Sequence, residues 1–358
     1  MTASGTLSEV DFIVVATNQV GYSRRCVESI FKSVQRPFHL IFVDNASTDE
    51  TPDYLEEVQK RSSERHRVTV IRNRVNQGWA AGLNQGLEHS RAPYLFFCNN
   101  DTEVYPNAVE EMLSLAQKRD EFGLINPNSN EFGMKAFDRD ELARLRGQWV
   151  ERLHASGFFV LVKRKVVDAI GGIDLAYSPG YFEDMDYSER AKRAGFLSVM
   201  ARGAYVYHFG TRSFLPKEKE SLWQRHRAIF DERWGGAKWF VYLGDDRTLL
   251  SPEKRAATIA RLLKIIRRES AICYAYVPRG TGKYFETLHM GFRPVEAPEG
   301  LRSFICLGKL LFRSRKKPVS KIIVETERIR KVWEPLKFLH RADVLLIDYF
   351  QWCKNDAG

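Results

Sequence analysis

A chain of 358 residues with 44% hydrophobic content can bury one large core or two unequal ones. No run of eighteen or more uncharged apolar residues occurs, which argues against a membrane-spanning helix, and the polar stretch Met1 to Glu9 lacks the regions of a signal peptide. The net charge of +10 is uneven: residues 250–358 hold 22 Lys/Arg against 11 Asp/Glu, and the preceding residues hold 33 against 34. A basic module beside a near-neutral one points to an anionic partner or to a solvated basic surface. Five scattered cysteines (Cys26, Cys98, Cys273, Cys306, Cys353), with no CxxC pair, are expected as reduced thiols in the cytoplasm.

Residues 11–17 form a nearly continuous apolar run, as a buried parallel strand requires. A helix follows from Ser23, then a strand from His39 to Val43 that ends at Asp44. After the turn Asn45-Ala46-Ser47-Thr48-Asp49, a helix opens at Thr51 with Pro52 at its first position. Arg67 to Ile71 reads as a strand, Gly78 to His89 as a helix, and Tyr94 to Cys98 as a strand running into Asn99-Asn100-Asp101. This alternation predicts βαβ units in a mostly parallel central sheet with flanking helices, whose ligands lie at the carboxyl ends of the strands. Later elements are a strand from Phe158 to Val162, helices over 166–170 and 185–194, strands over 197–201 and 205–208, and a charged helix from Glu218 to Trp234. From about residue 246 a small basic α/β module is expected, so the predicted domains are 1–245 and 246–358.

Four clusters carry chemistry, each with a plainer alternative. Asp44 at a strand end suits recognition of a nucleobase and ribose, or the turn after it simply caps the next helix. Asn73 to Asn84 places Gly78 at a loop-to-helix junction that could face a diphosphate, although its small residues also serve tight packing. Asp101 supplies a hard oxygen ligand for a divalent cation, with Asn100 beside it, or belongs to an ordinary turn. His208 ends a strand and either completes that metal site or is a satisfied structural residue.

The fourth cluster is Glu183-Asp184-Met185-Asp186. A carboxylate there can deprotonate an acceptor hydroxyl as general base. Glu183 and Asp184, read as extended, point to opposite sides, so one is the base and the other orients. Asp186 and Glu189 read as helix-start acids paired with Arg190 or Arg193.

Together Val43 to Asp49, Asn76 to Asn84, Asn99 to Thr102, Gly171-Gly172-Ile173-Asp174 leading to Glu183–Asp186, and His208-Phe209-Gly210 resemble family 2 inverting glycosyltransferases of the A-type fold, such as rhamnosyl- and galactofuranosyl-transferases. The resemblance covers roughly residues 10–235. It implies that Asp44 contacts the base of a nucleotide sugar, that Asp101 and His208 hold Mn2+ or Mg2+, and that Asp184 is the catalytic base beside Glu183. Thr17, Asn45, Asn76, Gly78 and Asn100 complete the expected nucleotide site, and Trp79, Gly157 and Tyr181 the acceptor pocket. Asn99 stands where the family often has a first aspartate. Arg212 and Lys217 are candidates for a lid over the diphosphate.

The expected reaction moves a sugar from a UDP- or dTDP-linked donor to a glycan or lipid-linked acceptor. The basic module is a candidate for peripheral membrane contact at the cytoplasmic face. The competing readings are a sugar nucleotidyltransferase, for which Thr17 to Gly21 lacks the Gly-rich basic loop, and a non-catalytic glycan- or nucleic-acid-binding protein.

Overall fold

The computed structural model describes residues 8–210, 216–311 and 319–347, and the chain divides into two compact units, one ending at Trp234 and the other beginning at Gly235. The first unit opens with β1 (Val10–Ala16), α1 (Val20–Ser33), β2 (Phe38–Asp44), α2 (Thr51–Lys60), β3 (His66–Arg72), α3 (Trp79–His89) and β4 (Tyr94–Asn99). It continues with β5 (Thr102–Val104), α4 (Ala108–Lys118), β6 (Phe122–Asn128), α5 (Arg139–Arg144), β7 (Trp149–Arg152), β8 (Phe159–Lys163) and α6 (Arg164–Ile170). It closes with α7 (Glu183–Arg193), β9 (Leu197–His208) and α8 (Pro216–Trp234).

The strand order is β3-β2-β1-β4-β8-β6-β9-β5, with β7 against β9. The first four strands of that order are parallel, and β8 enters antiparallel to both β4 and β6. Both faces are covered. Along β1, Phe12 and Val14 join one core while Ile13 and Val15 join the other, as expected where helices flank both sides of a sheet. The small residues of α3 serve this packing: a Cβ on Gly86 would lie 2.2 Å from Ile13 Cγ2, and one on Gly82 2.6 Å from Val15 Cγ1. The helix backbone therefore lies directly on β1, which places its N-terminus at the carboxyl end of the sheet.

Three differences from the sequence reading matter. Phe122–Asn128 is a fully buried strand although it contains Gly, Pro and two Asn, residues depleted in strands. Its pairing with β8 and β9 overrides that propensity. The two strands expected over 197–208 are one, β9. Finally, α7 starts at Glu183, so Glu183 and Asp184 occupy the first turn of a helix rather than an extended segment.

The second unit is a five-stranded, all-parallel sheet in the order β12-β11-β10-β13-β14. Its strands are β10 (Lys238–Leu243), β11 (Ala271–Val277), β12 (Phe292–Glu296), β13 (Val319–Val324) and β14 (Asp343–Leu346). The helices are α9 (Asp246–Leu249), α10 (Pro252–Glu269), α11 (Lys283–Glu286), α12 (Glu299–Leu311), α13 (Glu327–Trp333) and α14 (Lys337–His340). The central strand β10 begins at Lys238, and the two compact units divide at Trp234/Gly235.

Candidate active site

The carboxyl ends of β1, β2 and β4 lie side by side, with Ala16 opposite Asp44 and Val15 opposite Asn99. Asp44 is buried and its Oδ1 accepts the Ser47 N–H (3.0 Å), so it shapes the turn it opens. Asn45 is fully engaged. Its Nδ2 donates to Asn76 Oδ1 (2.8 Å) and the Gly78 carbonyl (3.1 Å), and its Oδ1 accepts from Asn73 and from the Gln77 N–H (both 3.0 Å). Thr17 Oγ1 donates to the Asn45 carbonyl and accepts from Asn76 Nδ2, both at 3.2 Å. Thr17, Asn45, Asn76 and Gly78 thus form one lattice that ties the β2 loop to the start of α3. Gly78 has φ +86, and a Cβ there would fall 2.6 Å from Ser178 Oγ, so both backbone and space require glycine.

A second group gathers at the end of β4. His208 Nε2 lies 3.2 Å from Asp101 Oδ1, and its Nδ1 lies 2.7 Å from Glu131 Oε1. Burial lowers the imidazole pKa, but the bonds to Asp101 and Glu131 outweigh it and raise His208 to about 9. The bond from His208 likewise holds Glu131 below its ordinary value. Phe158 stacks on the His208 ring, with centroids 4.7 Å apart and planes 12° apart. Asn100 donates to Ser23 Oγ (3.0 Å), while the buried Asn99 Oδ1 has no hydrogen-bond partner.

Asp184 meets the Gly157-Phe158 segment at Gly157. Its Oδ2 accepts the Gly157 N–H (3.0 Å) and its Oδ1 the Met185 N–H (2.8 Å). Burial raises its pKa, opposed by those two bonds and by His154 and Arg152. A Cβ on Gly157 would lie 2.9 Å from Trp79 Cη2 and 3.5 Å from Asp184 Cβ, so Trp79, Gly157 and the carboxylate are packed together. Trp79 Nε1 and Glu183 Oε2 are buried without hydrogen-bond partners.

The chain reaches this point through a contorted loop. Tyr181 (φ +75) and Phe182 (φ +71) are consecutive bulky residues in the left-handed region, each costing about 1–3 kcal/mol. Helix α8 holds them there. His226 Nδ1 donates to the Gly180 carbonyl (2.7 Å), and the Phe182 ring packs against Trp223 (5.6 Å) and Phe230 (5.5 Å). Asp186 is wholly buried and structural, bound to Arg190 Nε (2.8 Å) and Trp234 Nε1 (3.0 Å). Glu189 pairs with His154 (2.8 Å) and Lys192 (2.5 Å) rather than with Arg190 or Arg193, because those partners face it from β7's loop and its own helix face. Arg212 lies outside the described residues, and of Lys217 only the backbone is described.

Glu183 gives a pH signature. Burial, followed by the charge of Asp184, raises its pKa above the ordinary 4.5. The unfolded chain then binds fewer protons than the fold, so stability falls as pH climbs from about 4.5 to the raised value and is level beyond it. Glu183→Gln is expected to remove that slope. Its melting-temperature gain over the parent should grow with pH across the window; an identical difference at both ends would show that Glu183 stays ionised in the fold.

Comparison with known proteins bears on what this arrangement is for. The model of the family described as "Glycosyl transferase family 2" matches residues 11–171. A putative glycosyltransferase, EpsH, of Bacillus subtilis (strain 168) is 31% identical over 234 residues, spanning 62% of this chain and 67% of that protein. The chain is a family 2 glycosyltransferase. An N-acetylglucosaminyl-diphospho-decaprenol L-rhamnosyltransferase of Mycobacterium tuberculosis (strain ATCC 25618 / H37Rv) is 24% identical across 63% of this chain and 84% of its own length. Among solved structures, a mannosyltransferase of Pyrobaculum calidifontis shares the fold of this glycosyltransferase with a TM-score of 0.53 at 13% identity, over 93% of this chain and 82% of that one.

Two residues beside these groups of the glycosyltransferase escape the sequence reading. Glu131 follows β6, whose Gly, Pro and Asn content obscures the strand end that would have marked it. Arg152 ends β7, its guanidinium 3.8 Å from the Phe132 ring centroid and its Nε bonded to the His154 carbonyl (3.0 Å). Burial pushes Arg152 down to about 10 against the pull of Asp184 and Glu131, so it stands electrostatically between the two groups.

Proposed function

We propose that this glycosyltransferase is a metal-dependent inverting enzyme that moves a sugar from a pyrimidine nucleotide sugar, UDP- or dTDP-linked, to a hydroxyl of a glycan or lipid-linked acceptor. The observation that carries the reading is the pairing of a poised base with a cation-type ligand pair across two residues: Gly157 binds Asp184, and Phe158 covers His208. An inverting displacement needs a base on the acceptor side and charge neutralisation on the leaving-group side.

The Asp101/His208 pair fits Mn2+ or Mg2+. At 3.2 Å apart, Asp101 Oδ1 and His208 Nε2 bring a hard carboxylate oxygen and an imidazole nitrogen to one point and would hold such an ion between them. Among the described residues no three Cys, His, Asp or Glu side chains form a ready metal cage. The buried, unpartnered Asn99 Oδ1 adds an oxygen acceptor in the same strand-end segment. The mannosyltransferase of similar fold was solved with GDP-Man and Mn2+. When bound, such an ion offsets the charge developing on the departing nucleoside diphosphate.

The chain's own residues do the rest. Asp184 takes the proton of the acceptor hydroxyl as the new glycosidic bond forms, and its two backbone hydrogen bonds fix the direction of attack. Trp79, Gly157 and Tyr181 border the acceptor side on this reading, and the buried Trp79 Nε1 and Glu183 Oε2 there lack hydrogen-bond partners. Thr17, Asp44, Asn45, Asn76, Gly78 and Asn100 surround the nucleotide side. No helix among the described residues is long and apolar enough to cross a membrane. Peripheral contact at the cytoplasmic face through the basic module is supported by its charge excess and by the exposed Leu301 and Phe304 of α12.

The test is a screen of UDP-, dTDP- and GDP-sugars with Mn2+ or Mg2+, read by nucleoside diphosphate release and by protection against heat. A response to a UDP- or dTDP-sugar is expected. A response to GDP-sugars alone would overturn the pyrimidine assignment and leave glycosyl transfer standing.

A further inference from the structure

We infer that Glu131 is a positioning residue for the ion site: with Asn130, it fixes which nitrogen of His208 is presented to the cation. The inference rests on the reading that Asp101 and His208 hold that cation.

The turn after β6 is built to grip one histidine. Ser129 and Phe132 exchange backbone hydrogen bonds (Ser129 N to Phe132 O 3.0 Å, and the reverse 3.1 Å), closing a tight turn. Gly133 follows at φ +77, where a Cβ would fall 2.0 Å from Asn128 Oδ1, so the chain can leave the turn only through glycine. Asn130 then clamps the backbone of His208: its Nδ2 donates to the His208 carbonyl and its Oδ1 accepts the His208 N–H, both at 2.9 Å. The next residue, Glu131, takes the ring at Nδ1 (2.7 Å). Phe132 packs on Phe158 (5.6 Å), which in turn stacks on the imidazole face. Three consecutive residues therefore control the backbone, the edge and, through Phe158, the face of a residue 76–78 positions later in the chain.

This has a chemical consequence. A carboxylate can only accept, so Nδ1 must carry the hydrogen in its bond to Glu131. In the neutral ring that leaves the lone pair on Nε2, the nitrogen facing Asp101 at 3.2 Å. The bond also fixes the plane of the ring and raises the basicity of Nε2. Partners of this kind typically alter metal affinity by about 10–100-fold when removed. A purely structural turn would need Asn130 and the glycine but no carboxylate on the imidazole. Glu131 is 43% exposed, so water could serve its carboxylate equally well if orientation of His208 were not at stake.

The experiment is a Mn2+ titration of the full-length protein by calorimetry and electron paramagnetic resonance, for the parent and for Glu131→Ala, Glu131→Gln, His208→Ala and Asp101→Asn. Glu131→Ala should weaken Mn2+ binding about 10–100-fold. Glu131→Gln should recover part of that loss, since its amide oxygen still accepts from Nδ1. UDP binding measured without divalent ions should be unchanged in both. With saturating Mg2+, where a ligating ring is neutral, nitrogen-15 chemical shifts of His208 should report the Nδ1-protonated tautomer in the parent and a mixture in Glu131→Ala. Parental Mn2+ affinity in Glu131→Ala, with affinity lost in His208→Ala, would overturn the positioning role and leave the ion site standing. Parental affinity in both Asp101→Asn and His208→Ala would instead remove the ion site and the inference with it.

Discussion

Asp184→Asn is expected to bind the nucleotide sugar as the parent does and to transfer about 10²–10⁴-fold more slowly. The substitution is nearly isosteric, and the amide oxygen can still accept one of the two backbone hydrogen bonds, from Gly157 or from Met185. Its NH2 would then face the second N–H group, so a modest loss of stability accompanies the loss of the base. On the proposed reading the donor is held around Asp44 and the Asp101/His208 pair, so its affinity should not change. Donor affinity by titration and single-turnover transfer together make the check. Wild-type turnover in a folded Asp184→Asn protein would take this carboxylate out of the mechanism and move attention to Glu183. Equal losses in affinity and rate would mean instead that Asp184 holds the fold of the site, a role Asp186 already fills with Arg190 and Trp234.

The contrast between these neighbours shows what the sequence can carry. Strand-end residues such as Asp44 and Asp101 were legible because an apolar run followed by a polar turn marks the edge of a parallel sheet. The early βαβ alternation was legible for the same reason. The first turn of α7 was not. Its start depends on Tyr181 and Phe182 adopting positive φ, which neither side chain prefers and which only the docking of His226, Trp223 and Phe230 stabilises. Long-range contacts of that kind leave no local trace.

Glu131 and Arg152 were hidden by the same limit. The first follows a strand whose Gly, Pro and Asn content argues against a strand at all. The second is a charged residue at the end of a four-residue strand, and only its burial between Asp184 and Glu131 gives it meaning. The bland readings of Asn45 and of the α3 glycines also gained substance: one is saturated with hydrogen bonds and the others lie against β1. They hold the backbone at the carboxyl end of the sheet, where Asp44 and Asp101 bring carboxylates.

Removing divalent ions with EDTA is expected to stop transfer, and added Mn2+ or Mg2+ to restore it. Offsetting the charge on a departing diphosphate is worth several kcal/mol, so the loss should reach about 100-fold or more. The arrangement at His208 explains why no other group substitutes. Without an ion, Asp101 and Glu131 draw a proton onto the imidazole and hold it well above its ordinary value, at about 9. The resulting cation is compensated on both sides by carboxylates, so little positive charge is left over for a phosphate. Arg152 is drawn toward Asp184 and Glu131 and is similarly committed. Asp101→Asn should therefore reproduce the EDTA effect at ordinary Mn2+ concentrations and be partly relieved by excess Mn2+, since His208 and Asn99 remain. Asp184→Asn should show no such relief, because its defect lies on the acceptor side. Undiminished transfer in EDTA would mean that the Asp101–His208 contact is a buried ion pair of the fold, and that leaving-group charge is met by cationic side chains.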